Sequence, residues 1–413
     1  MVLMMESTFA ARAQKAQRSE LAALFALAEE PGVISFAGGF PDPEWFLPEI
    51  IEISEEIMRT NRGVALQYGP TPGFTALREF MAARLTRQGM KCGAADVLIT
   101  SGSLQGLDLV CKIFLEPGDV VLTEAPTYIG ALQTFASYEA DIASVPTDAD
   151  GMRIDELESL LADMRAGKRA GGRTPKFIYT IPSFQNPSGC TLSLERRWAL
   201  LSVASRFGVP VVEDHAYAEL RYDGADIPAL KALDEDDIVV HLGTFSKIFS
   251  PGLRLGWMIG PRPVMEKAIL FKQGTDQCSN SLGQMMALEY GKRGLIERQI
   301  EVTVASLRKK KDETLRALRA HFGDAITYTV PEGGFYTWVT FPEAIDTVEL
   351  LPRAVKEHSV AYVAGPSFYA DRSGANQARL CFSQPRVDQI EEGIWRLRKC
   401  FATFLWAVAR ESV

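Results

Sequence analysis

The chain has 413 residues, with 44 Lys and Arg against 52 Asp and Glu, for a formal charge of −8. That length exceeds one simple core, so two domains are expected. Its acidic balance argues against a nucleic-acid surface, and the basic run Arg308–Lys311 reads as a solvated helix face. No apolar run reaches the roughly 18 residues that span a bilayer, and Met1–Phe9 carries no secretory pattern. Six scattered cysteines without a CxxC pair, and only four histidines, lead us to expect no metal site and reduced thiols in a cytoplasmic protein.

In chain order, residues 1–50 form an N-terminal segment: an amphipathic helix over Ser19–Ala28, then the loop ISFAGGFPDP. This segment is expected to pack with the C-terminal part of the chain. Residues 51–290 read as a large α/β domain. Apolar strands over Val97–Thr100, Val120–Thr123, Phe177–Ile181, Val209–Glu213, Ile238–Leu242 and Leu255–Ile259 alternate with helical patterns such as Leu104–Leu115 and Leu194–Phe207. That alternation predicts a mostly parallel sheet, whose ligands bind beyond the carboxyl ends of its strands. The stretch Arg165–Arg173 reads as an exposed loop. A long helical pattern over Leu282–Phe322 leads into a smaller α+β domain, 291–413, with strands near Phe335–Val339 and Arg379–Phe382.

The polar residues of interest fall at strand ends. GTFSKIFSPGLRLG places Lys247 just past the run Ile238–Leu242, with Ser246 before it and Arg254 seven residues on. Low solvation and a nearby cation both favour a neutral, nucleophilic amine; the alternative is a solvated surface lysine. TSGSLQGLDLV is a strand end, a turn and a helix start. Free first-turn amides and Ser103 would suit a phosphate, although Ser is also a common N-cap. No Walker pattern or dinucleotide glycine fingerprint is present.

VVEDHAYAEL ends a strand with two acids. Asp214 reads as a buried carboxylate awaiting a cation, with Tyr217 in reach of the same ligand, or else as an N-cap beside a packed tyrosine. Asn186 lies in the turn of IPSFQNPSGC, Tyr128 in the loop of EAPTYIGALQ, and Tyr68 in the Gly/Pro turn of LQYGPTPGFTALRE. Arg379 sits on the apolar strand ARLCFS, where a buried guanidinium needs an anion.

In order and spacing, Asn186, Asp214, Tyr217, Ser246, Lys247, Arg254 and Arg379 resemble the pyridoxal-phosphate-dependent aminotransferases of fold type I, class I/II. The aminoadipate/kynurenine branch is the most similar. The resemblance runs from ISFAGGFPDP to ARLCFS and implies a large domain with a mostly parallel seven-stranded sheet plus a smaller α+β domain. It implies that Lys247 holds pyridoxal 5′-phosphate covalently and that Asp214 pairs with the ring nitrogen. Tyr217 and Asn186 would contact the ring hydroxyl oxygen, and Tyr128 would stack on the ring. Ser103, the amide of Leu104, Ser246 and Arg254 would hold the phosphate, and Gln105 would also bind the cofactor. Arg379 with Asn186 would bind the substrate α-carboxylate, and Gly39 would line the pocket. Tyr68 would reach the partner subunit's cofactor, which implies a homodimer with shared sites.

The expected reaction moves an amino group from an L-amino acid to a 2-oxo acid. Members of this branch that take acidic donors often carry an arginine on the N-terminal helix. That place falls on Ala22 here, with Arg18 one turn earlier, which favours aromatic or large apolar donors over aminoadipate. Leu104 stands where relatives carry a polar residue, and His215 where an acid is common; a supporting hydrogen bond is the expectation for His215. The competing expectations are a lyase or decarboxylase of the same fold, and a non-catalytic effector-binding protein. The effector-binding relatives carry a DNA-binding domain in front, for which about 30 residues ahead of ISFAGG are too few.

Overall fold

The computed structural model describes residues 8–15 and 32–411, with side chains described for 8–14 and 32–402. The helix expected over Ser19–Ala28, Arg18 and Ala22 lie outside the described residues. The large sheet is built from β2 (Leu98–Thr100), β3 (Val120–Ala125), β4 (Asp141–Asp148), β5 (Gly151–Met152), β6 (Phe177–Thr180), β7 (Val211–Asp214), β8 (Val239–Thr244) and β9 (Gly256–Ile259). Its spatial order is β2-β9-β8-β7-β6-β3-β4-β5. Strands β8, β7, β6, β3 and β4 pair in parallel, and β9 is antiparallel to both its neighbours. The sheet thus has seven strands of three residues or more, plus the two-residue β5, which pairs antiparallel to β4.

The period-two alternation of side chains divides the core between the sheet's two faces. Val120, Leu122, Ile178, Val211 and Val239 pack on one side with helices Ile154–Arg165 and Leu194–Phe207. Val121, Phe177, Tyr179, Val212, Val240 and Leu242 pack on the other with helix Ser103–Phe114. Strands read as continuous apolar runs because both faces are covered.

A second sheet has the order β10-β11-β14-β13, from β10 (Thr327–Tyr328), β11 (Tyr336–Thr340), β13 (Val363–Ala364) and β14 (Gln377–Cys381). The short β1 (Ile34–Ser35) pairs in parallel with β12 (Val360–Ala361), which ties residues 34–35 to the C-terminal part of the chain. The helical pattern over Leu282–Phe322 is two helices, Ser281–Lys292 and Leu295–Phe322. They break at Gly294, which takes a left-handed φ of 70°, a conformation open to glycine.

The basic run Arg308–Lys311 departs from the solvated face expected of it. Lys310 is buried and donates to Asp42 Oδ2 (2.6 Å) and the Ser383 carbonyl (2.7 Å). Lys311 is buried too and pairs with Asp223 at 2.8 Å. These lysines tie the long helix to distant loops, and burial is offset by full pairing.

Candidate active site

The residues picked out at strand ends meet along one edge of the large sheet. Lys247 follows β8 and is partly buried, and its Nζ donates to the Gly39 carbonyl at 2.8 Å. Its pKa is brought down to about 8, chiefly by burial, with the cations Arg379 and Arg254 adding to the effect and Cys381 opposing it. Asp214 ends β7. Its Oδ2 accepts from the Tyr179 hydroxyl at 2.8 Å, and its Oδ1 is buried with no partner. Burial raises this carboxyl to about 6, against the opposing pull of the Tyr179 bond. A buried carboxylate with one empty oxygen and no paired cation suits a ligand N–H⁺.

Arg379, on β14, donates through Nη1 to Asn186 Oδ1 (2.8 Å) and through Nη2 to the Ala37 carbonyl (2.7 Å), while its buried Nε has no partner. Its guanidinium lies 4.4 Å from the Tyr336 ring centroid and 5.0 Å from that of Phe368. Tyr217 is buried, and its hydroxyl shares a 2.7 Å hydrogen bond with Tyr336. Gly39 is pressed against the same Tyr336: a Cβ there would sit 2.2 Å from the phenol oxygen. Tyr128 is a partly buried phenol raised to about 12, first by desolvation and then by the charge of Asp214, with Arg379 and Arg254 opposing.

A second corner gathers the expected phosphate ligands. Helix Ser103–Phe114 starts after Gly102 (φ 84°) with no side-chain cap, so its first amides are free of one. Arg254, itself in the left-handed region at φ 52°, reaches this turn: a Cβ on Gly102 would lie 2.6 Å from its Nη2. A non-glycine residue held there costs about 1–3 kcal/mol, and a cation beside the positive end of a helix adds repulsion that a bound phosphate would relieve. Gly256 completes the corner, since a Cβ on it would be 2.8 Å from the Ser103 amide nitrogen. Ser246 is buried beside Thr244, whose hydroxyl donates to Ser246 Oγ at 2.9 Å.

Of the remaining residues, His215 departs from its expectation. The Gln105 side chain is taken up inside the fold. Its Oε1 accepts from the Ser101 amide and Lys272, and its Nε2 donates to Asp276, which leaves its backbone amide for a ligand. Tyr68 is 75% exposed within this chain. The His215 side chain makes no hydrogen bond among the described residues. It packs on His241 (ring centroids 4.9 Å), and His241 in turn bonds Glu213 at 2.8 Å. Burial and the neighbouring His241 lower the His215 pKa to about 3.

Sequence reasoning passed over Tyr179 and Tyr336. Both carry a phenol in an otherwise apolar strand, and a buried Tyr hydroxyl asks for a partner. That signal was available in FIYT and FYTWV.

The comparisons with known proteins decide the family. A family model described as Aminotransferase class I and II matches residues 31–397. The chain belongs to the class I and II aminotransferases. It is 41% identical over 394 residues to aromatic-amino-acid aminotransferase 1 of Thermococcus litoralis, covering 95% of this chain and 93% of that one. It is 38% identical to the 2-aminoadipate transaminase of Thermus thermophilus, covering 96% and 97%. Among solved structures, the kynurenine aminotransferase of Pyrococcus horikoshii in complex with PMP superposes with a TM-score of 0.91 at 42% identity, covering 97% and 98%. This aminotransferase uses pyridoxal 5′-phosphate, and the empty Asp214 oxygen, the low-pKa lysine and the uncapped helix start fit its ring nitrogen, aldehyde and phosphate.

Proposed function

We propose that this aminotransferase takes aromatic or large apolar L-amino acids, with 2-aminoadipate-like donors less favoured, and passes the amino group to a 2-oxo acid such as 2-oxoglutarate by a ping-pong route. The observation that carries this reading is Arg379: a buried guanidinium, clamped between two aromatic rings beside Asn186, with an N–H to spare. An α-carboxylate satisfies it, and the Tyr336 and Phe368 rings that surround it suit an apolar side chain. The relatives named for aromatic amino acids and kynurenine point the same way.

When bound, the cofactor supplies an electron sink for the carbanion at the amino-acid α-carbon. Asp214 keeps a proton on the ring nitrogen, a charge-assisted hydrogen bond worth about 1.5–3 kcal/mol. Tyr217 and Asn186 hold the ring oxygen, and Tyr128 covers the ring. The Ser103–Gln105 amides, Ser246 and Arg254 hold the phosphate. Arg379 fixes the carboxylate so that the α C–H is presented to the Lys247 amine, which takes its proton. A positioned base of this kind contributes on the order of 10²–10⁴-fold. Gly39 lines the pocket against Tyr336, where any side chain would collide with the phenol.

We further infer a cytoplasmic homodimer with shared sites and small-molecule partners, without nucleic acid or membrane. Tyr68, with the exposed Ile51, Val64 and Leu66 nearby in sequence, supports an apolar surface that a second copy covers. The division into 1–50, 51–290 and 291–413 belongs to the same proposal, supported by the separate sheets.

The test is a panel of single amino donors, each followed with and without an oxo acid. Build-up of pyridoxamine phosphate with a lone donor, and oxo-acid exchange, are expected, fastest for Tyr, Phe and kynurenine. Release of ammonia or CO₂ without oxo-acid exchange would assign a lyase or decarboxylase instead.

A further inference from the structure

Tyr336 opens β11 and joins three parts of the site that are far apart in sequence. Its hydroxyl meets the Tyr217 hydroxyl at 2.7 Å, its ring lies under the Arg379 guanidinium at 4.4 Å, and its oxygen sets the limit on residue 39. The register explains the reach. Tyr336 stands opposite Cys381 and Trp338 opposite Arg379, so Tyr336 and Arg379 are diagonal neighbours on one face of the small sheet. Tyr217 comes from the loop after β7 of the large sheet. The Tyr336 hydroxyl is thus a bridge between the two sheets.

We propose that Tyr336 is a positioning residue with two separable parts: its hydroxyl fixes the direction in which Tyr217 donates, and its ring holds the Arg379 guanidinium flat. The inference rests on the site reading above. A phenol has one proton. If Tyr217 gives its own to the cofactor's ring oxygen, it is left with lone pairs, and Tyr336 is placed to donate into them. Such a chain, Tyr336 to Tyr217 to ligand oxygen, strengthens its last link and favours the anionic form of that oxygen. The reverse arrangement, Tyr217 donating to Tyr336, would deny the ligand oxygen the Tyr217 proton and leave it to Asn186 alone.

Burial raises both phenols well above their ordinary range, so both keep their protons. The other groups that face the pair are Arg379, Cys381 and Tyr128, with Lys247 Nζ 5.8 Å from the Tyr217 ring centroid. None of these is a carboxylate, so the phenol pair is the adjustable donor at this point.

Two variants separate the two parts. Tyr336→Phe keeps the ring and removes the donor. The pH midpoint of the visible absorption of the bound cofactor is expected to rise by about 0.4–1 unit, the size of one net hydrogen bond, with KM for the amino donor unchanged. Tyr336→Leu removes the ring as well and is expected to raise that KM about tenfold or more.

A Tyr336→Phe protein that titrates at the native midpoint would overturn the role of the hydroxyl, and a Tyr336→Leu protein with native KM would overturn that of the ring. The unchanged KM of the Phe variant guards against reading general loss of fold as a ring effect. If the native protein forms no visible band with pyridoxal phosphate, the site reading itself fails, and this inference goes with it.

Discussion

The most exposed consequence of the site is the acidity of Lys247. Burial brings it to about 8 against an ordinary 10.5, so at neutral pH its neutral fraction is about 300 times that of an ordinary lysine. The charges of Arg379 and Arg254 push the same way. Competitive labelling of the apoprotein with trace acetic anhydride between pH 6 and 11, followed by peptide mapping, reads this directly. The labelling midpoint of Lys247 is expected near pH 8, whatever its accessibility. Lys267, exposed on the helix Arg262–Thr275, serves as the internal surface comparison.

The sign follows from linkage. A base whose folded pKa lies below its unfolded value binds fewer protons folded, so apoprotein stability gains from this group as pH rises from about 8 to 10.5 and the gain is lost below 8. Arg379→Gln, which removes one cation, should move the Lys247 midpoint upward. A native midpoint above 10 would refute the argument that burial and cations activate this amine.

Three other perturbations follow from the geometry. Asp214→Asn keeps the shape but removes the charge, and is expected to cut kcat about 10–150-fold, the equivalent of one charge-assisted hydrogen bond, as single-turnover kinetics would show. Gly256→Ala drives a Cβ to 2.7 Å from the Gly102 carbonyl carbon and 2.8 Å from the Ser103 amide. Overpacking of this kind costs about 1–3 kcal/mol, and because it falls on the phosphate corner, cofactor affinity should drop about tenfold, measured by equilibrium dialysis. Lys310→Met strands Asp42 and the Ser383 carbonyl; loss of about 3 kcal/mol is expected, read from the shift in urea midpoint.

Much of the site was legible because its chemistry sits where strands end, and strand ends are the clearest marks in this sequence. Lys247, Asp214 and Asn186 follow apolar runs of the length and β-branched content of covered strands, and those runs survive as β8, β7 and β6. Strand β4 was not legible. Its residues are mostly exposed or half-exposed at the sheet's edge, so DIASVPTD shows no apolar run, and only pairing with β3 makes it a strand. The buried lysines 310 and 311 were misread for a related reason: their partners Asp42, Ser383 and Asp223 are distant in sequence. Local pattern carries no information about such pairs. Tyr336 shows the same blindness in the site itself, since its partner Tyr217 is 119 residues away.

The direction of β9 shows why both corners of the site share one edge. Lys247 and Arg254 are separated by a loop between β8 and β9, too short for the dozen or more residues that a parallel crossover requires. The chain must therefore turn back, and β9 runs antiparallel to β8. Its start, not its end, then lies beside the carboxyl end of β8, on the edge where β7 also ends. Arg254, just before β9, lands on the same edge as Lys247, just after β8. Strand β2 is antiparallel to β9 in turn, so it points with β8, and the helix start at Ser103 that follows it arrives at that edge as well. A single reversed strand thus brings a helix N-terminus and a guanidinium together on one side of the reactive amine, while Asp214 stays on the other. A ligand with a phosphate at one end and a protonated ring nitrogen at the other is the shape that this spacing accepts.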